Sequence, residues 1–405
     1  MKKVLTLLSL LIAAISFAAP KNIIIMIPDG TGHASLTIAR QLKGAPLAID
    51  GAIYSILETR SADNSVTDSA AAATAMACGQ RTYNGAVGVD VHQTPIKSIS
   101  EHAKCAGKAV GIVTTDLITG ATPSGFSAHV SKRDHAADIL EQQIATGFDV
   151  FMGGGQKYLT DDIKAYLAER HYTLATTRDE MNAAEGKVFG LFSHGLMTAE
   201  VERRAGAGAS EPTLTEMTQK AIDLLDDDPD GFFLMVEGAQ VDKGNHENDL
   251  PWATYDLLAF DDAVGYVLNW AKAHPDTLVF IAPDHETGGI TLLNEPSEGA
   301  RAKALAQAKG RKAGKPDTYY THYSTTWHTG VDVFVAGNTP ECRPIQNERM
   351  LECIIGETVA PLKQLEGKTV VEDGVTWFYS KSGKLKYRAQ RDAIYIRATD
   401  KWYIW

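Results

Sequence analysis

The chain has no excess of positive charge: 50 acidic residues outnumber 39 lysines and arginines, giving a formal net charge of −11 over 405 residues. That balance argues against a polybasic surface, so neither nucleic acid nor an anionic membrane is expected as a partner. Long apolar runs are missing beyond the first twenty residues, and no later segment reads as a membrane helix. Internal repeats and low-complexity tracts are absent as well. Cysteine is scarce, with only Cys78, Cys105, Cys342 and Cys353. In an oxidising compartment four cysteines allow three pairings. Cys342 with Cys353 is favoured because both lie in a late polar segment, whereas Cys78 sits among small residues and reads as a buried free thiol.

What is present begins with MKKVLTLLSLLIAAISFAAP, which has two lysines, an apolar stretch over 4–15 and small residues at Ser16, Ala18 and Ala19. This pattern predicts a secretory signal peptide over 1–19, cleaved near Ala18 or Ala19, and a secreted or periplasmic mature chain. Six short apolar runs, at 23–27, 110–114, 150–152, 232–236, 278–282 and 331–335, read as buried strands. Amphipathic stretches at 96–106, 214–225 and 255–273 read as helices. Strands alternating with helices imply an α/β fold whose central, mostly parallel sheet is covered by helices on both faces. A catalytic domain over 20–365 is expected, with an insertion at about 291–327 and a small C-terminal β extension over 366–405. The insertion includes a basic segment at 301–315, which reads first as a solvated loop or helix.

In such sheets chemistry gathers beyond the carboxyl ends of the strands. After IIIMI comes Pro28-Asp29-Gly30, after FFLMV comes Glu237-Gly238, and after LVFIA come Pro283-Asp284-His285-Glu286. One acid after a strand marks a turn; three in equivalent places suggest a shared polyanionic site. In VEGAQVDKGNHEND, Asp242 and His246 are four apart, so on a helix both project from one face and could grip one cation. With His328 in TTWHTG, the inventory becomes three histidines and four carboxylates. That set suits two zinc ions and a harder, oxygen-rich site for magnesium. In VTDSAAAATAMACG, Ser69 follows Asp68 at the start of an alanine-rich run that predicts a capped helix. No histidine is near it in sequence to serve as base. A zinc ion at its oxygen would lower its pKa and remove that need.

The order of NIIIMIPDGTG, VTDSAAAAT, GATPSGFSAHVSKR, VEGAQVDKGNH, PDHETGG and WHTG resembles the alkaline phosphatases over roughly 21–360. The resemblance implies an alkaline-phosphatase-like fold and metal-dependent hydrolysis of phosphate monoesters through a phosphoserine on Ser69, rising at alkaline pH. It implies two Zn²⁺, one held by Asp242, His246 and His328 and the other by Asp29, Asp284 and His285. One Mg²⁺ would meet Asp29, Thr122 and Glu237. Arg133 would clamp phosphate oxygens, with Asp68 orienting it, and Lys243 would reach phosphate through water. The family commonly forms homodimers. Related enzymes on this core include phosphodiesterases and sulfatases, but Ser69 and Arg133 favour a monoester. A phosphate-binding relative without turnover is a further alternative. One position departs from the pattern: where the family presents aspartate or histidine, this chain has Gly120, so either the magnesium site is weaker or a neighbour substitutes. His322, before His328, is a candidate substrate-side residue, and the other histidines are left as structural.

Overall fold

The computed structural model describes residues 20–292 and 321–338, together with the backbone of short strands between 363 and 404. The signal peptide, the basic segment at 301–315, Cys342 and Cys353 lie outside the described residues. Among the described residues thirteen strands precede residue 338: β1 Asn22–Pro28, β2 Ile53–Leu57, β3 Ala109–Leu117, β4 Val150–Gly154, β5 Thr173–Ala175, β6 Val188–Leu191, β7 Phe232–Gly238, β8 Thr277–Ile281, β9 Glu286–Thr287, β10 Ile290–Leu292, β11 Thr321–Tyr323, β12 His328–Thr329 and β13 Val333–Gly337. Nine of them form one sheet in the order β2-β13-β8-β1-β7-β3-β4-β6-β5. From β8 to β5 every pairing is parallel, and β13 runs antiparallel to both β8 and β2. The expected mostly parallel sheet is therefore present, with a two-strand antiparallel margin.

The apolar runs are continuous because both faces of the sheet are covered. Along β1, Ile24 and Met26 enter one core with Leu36 and Ala39 of the helix His33–Lys43 and with Leu257 and Phe260 of the helix Leu250–Ala273. Ile23, Ile25 and Ile27 enter the opposite core with Ala73, Met76 and Ala77 of the helix Ser69–Cys78 and with Ile99 of the helix Ile99–Cys105. The expected helix at 214–225 is found as Leu214–Leu225, capped by Thr213, whose side chain accepts from the Glu216 N–H. The expected helix at 255–273 begins earlier, because Asp249 accepts from the Trp252 N–H and Pro251 sits in the first turn. The last strand starts at Val333 instead of 331.

Two small antiparallel groups follow: Lys363–Leu365, Lys401–Ile404 and Ala393–Ile396 form one, and Gly367–Glu372, Val375–Ser380 and Lys386–Arg388 form the other.

The helix Ser69–Cys78 is buried along its entire length, which only its run of alanines allows. Its neighbour, the short helix Ala121–Gly125, comes so close that a Cβ on Gly125 would stand 2.8 Å from Ala73 Cβ and 3.0 Å from the Ala73 carbonyl carbon. Gly125→Ala must push the two helices apart, and about 1–3 kcal/mol of stability should be lost to overpacking. Urea unfolding of the variant beside wild type reads this directly, and an unchanged midpoint would contradict the close approach.

Candidate metal and nucleophile site

The three acid-ended strands are the adjacent central ones, β8, β1 and β7. Asp29 follows β1, Glu237 is the penultimate residue of β7 opposite Ile27, and Asp284 lies just past β8. Gly30 makes the convergence possible. It has φ +69°, and a Cβ there would sit 2.8 Å from the Asp242 Cα, so glycine lets the helix Gln240–His246 close over the end of β1.

Asp242 and His246 share one face of that helix as the spacing predicted, with His246 Nε2 3.3 Å from Asp242 Oδ1. His328, brought in on β12, stands 3.6 Å from the same oxygen, and its Nε2 is 3.1 Å from His246 Nε2. The hydrogen bonds behind the two rings fix their tautomers. His246 Nδ1 is 2.6 Å from the Thr326 carbonyl and His328 Nδ1 is 2.9 Å from the Thr67 carbonyl. Carbonyls only accept, so both Nδ1 atoms carry the proton and both Nε2 lone pairs face each other. Lone pairs at that distance repel unless a proton or a metal ion lies between them, and histidine metal ligands are oriented in this way by a hydrogen bond from the far nitrogen.

A second group unites Asp29, Asp284 and His285, all buried, with ligand atoms within 4.8 Å of one another. His285 Nε2 is 3.4 Å from Asp29 Oδ1 and 3.2 Å from Asp284 Oδ2. The Gly30 and His285 N–H groups both donate to Asp284 Oδ1. Asp284 Oδ2 and Asp29 Oδ1 have no hydrogen-bond partner, and neither do Glu237 Oε1 and the Thr122 hydroxyl. Buried polar atoms are rarely left so. Four of the five residues expected to hold the second zinc and the magnesium, all but His285, each carry one such orphan, which fits a site built for cations. Asp242, His285 and His328 also lie within this reach, so the two groups are contiguous.

Electrostatics agree. Burial, then the charges of Asp284 and Asp242, raise Asp29 well above the usual carboxylate range. Burial and Asp242 push Asp284 up to about 6, and burial and Asp116 push Glu237 up to about 8. At Asp242 burial works in the same direction but is outweighed by Lys243, His285 and His246, which hold it low. Burial lowers His285 and His328 to about 4, so both present neutral lone pairs at neutral pH.

Ser69 is the first residue of its helix and is buried. Its Oγ lies 3.1 Å from His285 Nε2, across 216 residues of chain. The primary sequence shows no histidine near the serine; the fold supplies one. A Ser-His-acid triad does not result, because Asp29 and Asp284 sit on the same Nε2 that faces the serine. His285 Nδ1 is instead 3.2 Å from the Thr287 hydroxyl, which donates to Asp242 Oδ1 at 2.6 Å.

Asp68 caps the helix, accepting from the Ala71 and Gly85 N–H groups through Oδ1, while Arg133 Nη1 donates to its Oδ2 at 3.0 Å. Burial would raise Asp68, but these bonds and the guanidinium outweigh it and hold the carboxylate low, so it orients Arg133 and is not poised as a base. Lys243 Nζ is 3.1 Å from Asp242 Oδ2. His322 pairs across β10 and β11 with Thr291, and no described contact joins it to the ligands. Cys78 is buried and its thiol lies 3.5 Å from the Ile96 carbonyl, as its small-residue surroundings suggested. Among the described residues no helix is long and apolar enough to cross a membrane.

The family model for alkaline phosphatase matches residues 20–349. Alkaline phosphatase H of Pseudomonas aeruginosa (strain UCBPP-PA14) is 32% identical over 387 residues, covering 79% of this chain and 80% of its own. The alkaline phosphatase of the Antarctic bacterium TAB5 superposes with a TM-score of 0.74 at 31% identity, covering 84% of this chain and 97% of that one. A point variant of the TAB5 enzyme, solved with Mg bound in its M3 site, gives 0.73 over the same shares.

Without metal, Glu237 keeps its proton to about pH 8 in the native state, against an ordinary 4.5 in the unfolded chain. The native state then holds more protons over that interval, and stability falls as pH rises. His285 and His328 act oppositely between about 4 and 6.5, and their contribution is complete above that. Chelated protein should therefore lose stability from pH 6.5 to 8, and restoring divalent metal should abolish the loss. Urea midpoints across that range, with and without chelator, check this; a level or rising metal-free curve contradicts it.

Proposed function

The chain belongs to the alkaline phosphatase family, and on that premise we infer that it hydrolyses phosphate monoesters in two displacements at phosphorus, with Ser69 as nucleophile. The observation that carries this reading is the placement of the Ser69 hydroxyl at 3.1 Å from His285 Nε2, among donors that await cations. Asp242, His246 and His328 would hold one zinc, Asp29, Asp284 and His285 the other, and Asp29, Thr122 and Glu237 the magnesium. These ions supply Lewis acidity, lowering the pKa of an oxygen they touch and neutralising charge on a transferring phosphoryl group.

The chain's own residues do the rest. Deprotonated Ser69 Oγ bonds to phosphorus as the P–O bond to the leaving alkoxide breaks. The alkoxide takes up a proton from water; a second water, giving up a proton to solvent, then attacks the same phosphorus from the vacated side, the Oγ–P bond breaks to return Ser69, and inorganic phosphate leaves. Asp68 holds Arg133 by one N–H, which leaves the other edge of the planar guanidinium for two phosphate oxygens. Lys243, pinned by Asp242, adds positive charge beside the carboxylates. Because the water of the second displacement must give up a proton, turnover rises as pH climbs above neutral. The signal-peptide pattern supports an exported enzyme, and the resemblance supports a homodimer.

A chromogenic phosphate monoester, the matching diester and the matching sulfate ester, assayed from mildly acidic to strongly alkaline pH, separate the readings. Monoester turnover should dominate, rise with pH, vanish on chelation and return with zinc and magnesium. Ser69→Ala should abolish it, and Arg133→Lys should lower kcat/KM by roughly 10- to 100-fold, the worth of about 1.5–3 kcal/mol for a hydrogen bond to a charged group. Preferential diester or sulfate turnover, or phosphate binding without hydrolysis, would overturn the monoesterase reading.

A further inference from the structure

Position 120 carries glycine where the resemblance leads one to look for aspartate or histidine. The turn does not require glycine, since φ −58° and ψ 162° suit any residue. What excludes a side chain is its neighbour: a Cβ on Gly120 would lie 2.7 Å from Asp116 Oδ2 and 2.9 Å from the Leu117 carbonyl oxygen. The Asp116 carboxylate occupies the space beside Gly120, reaching it from the end of β3.

That carboxylate is buried and anchored. The Leu117 N–H donates to Oδ1 at 2.6 Å, and the Asp116 N–H donates to Thr114 Oγ1 at 2.8 Å. The Thr114 hydroxyl in turn donates to Glu237 Oε2. Asp116 Oδ2 points the other way and stands 3.9 Å from Lys243 Nζ. After burial, Asp116 is the largest influence raising Glu237, so its field falls on that side chain. Glu237 Oε1, the Thr122 hydroxyl and Asp29 Oδ1 are all buried and unpartnered.

We propose that Asp116 replaces the side chain that position 120 lacks, supplying the additional carboxylate of the magnesium pocket of Asp29, Thr122 and Glu237 and holding Lys243 beside it. A hard cation keeps part of its water shell and is bound by oxygens and negative charge, which a buried carboxylate in the space beside Gly120 provides and a glycine cannot. Gly120 is then the residue that makes room. This inference rests on the metal-dependent reading above and deepens it.

Mg²⁺ is titrated into the zinc-loaded full chain, and binding heat, thermal midpoint and magnesium-stimulated turnover are followed in parallel. Asp116→Ala should weaken Mg²⁺ affinity by about 10- to 100-fold, the usual loss for an outer-shell partner, with zinc stoichiometry unchanged. Asp116→Asn, which preserves the Leu117 contact without the charge, should also weaken it. Asp116→Ala combined with Gly120→Asp should recover most of the lost affinity, which a merely structural role for Asp116 would not predict. If Asp116→Ala does not fold, the asparagine and double variants carry the comparison. Unchanged Mg²⁺ affinity in the single variants, no recovery in the double variant, or no Mg²⁺ binding by wild type overturns the proposal. Monoester hydrolysis with Asp116-independent Mg²⁺ binding overturns this inference alone. Asp116-dependent binding in a protein without hydrolysis leaves it standing and overturns the activity reading.

Discussion

Four carboxylates and three imidazoles meet at the carboxyl end of the sheet with their lone pairs turned inward, and the fold around them is arranged to make that possible. Burying one uncompensated carboxylate costs several kcal/mol, and the usual response is to keep the proton. Asp29, Asp284 and Glu237 are pushed in that direction, each by burial first and by another carboxylate next. Cations remove the conflict, so metal binding adds to the stability of the native arrangement. The hydrogen bonds at the back of the site, from His246 to Thr326 and from His328 to Thr67, serve to keep the lone pairs pointing inward.

The scaffold answers that demand with small residues at the contacts nearest the ligands. The all-buried helix Ser69–Cys78 carries Ser69, the proposed nucleophile, at its first position, and Gly125 lets the helix bearing Thr122 lie against it. Gly30 does the same for the helix that brings Asp242 over Asp29. Placement of nucleophile and ligands therefore depends on packing between backbones, where rotamer changes offer little relief.

Much of this was legible in the sequence because its strongest signals are physical. The runs at 23–27, 232–236 and 278–282 are apolar at every position because both faces of their strands are covered, and each ends in an acid because the strand ends share a site. The four-residue spacing of Asp242 and His246 needed only a helix. Other elements gave weaker signals. Strand β2, IYSIL, sits at the sheet edge with Ile53 and Ile56 partly exposed, and β5 and β6 are three and four residues long. The contact of Ser69 with His285 is a product of topology, which brings the start of the helix after β2 to the segment just past β8, and no local pattern announces it.

Asp116 shows where sequence reasoning stops for a physical reason. It lies within β3 in VTTDL, where an acid before a turn carries no distinguishing mark, and the signal nearby was a missing side chain at Gly120. A missing group says that a volume is open; only three-dimensional placement says what fills it. The filling group comes from four residues earlier, because the chain turns back on itself between the end of β3 and the helix Ala121–Gly125, with the Gly120 N–H donating to the Leu117 carbonyl at 2.7 Å. A carboxylate from either side of that turn can reach one volume, so on the proposal above Asp116 supplies from one side the charge that a side chain at 120 would supply from the other. Binding of a hard cation responds to charge and oxygen geometry, and the identity of the backbone position behind them is secondary.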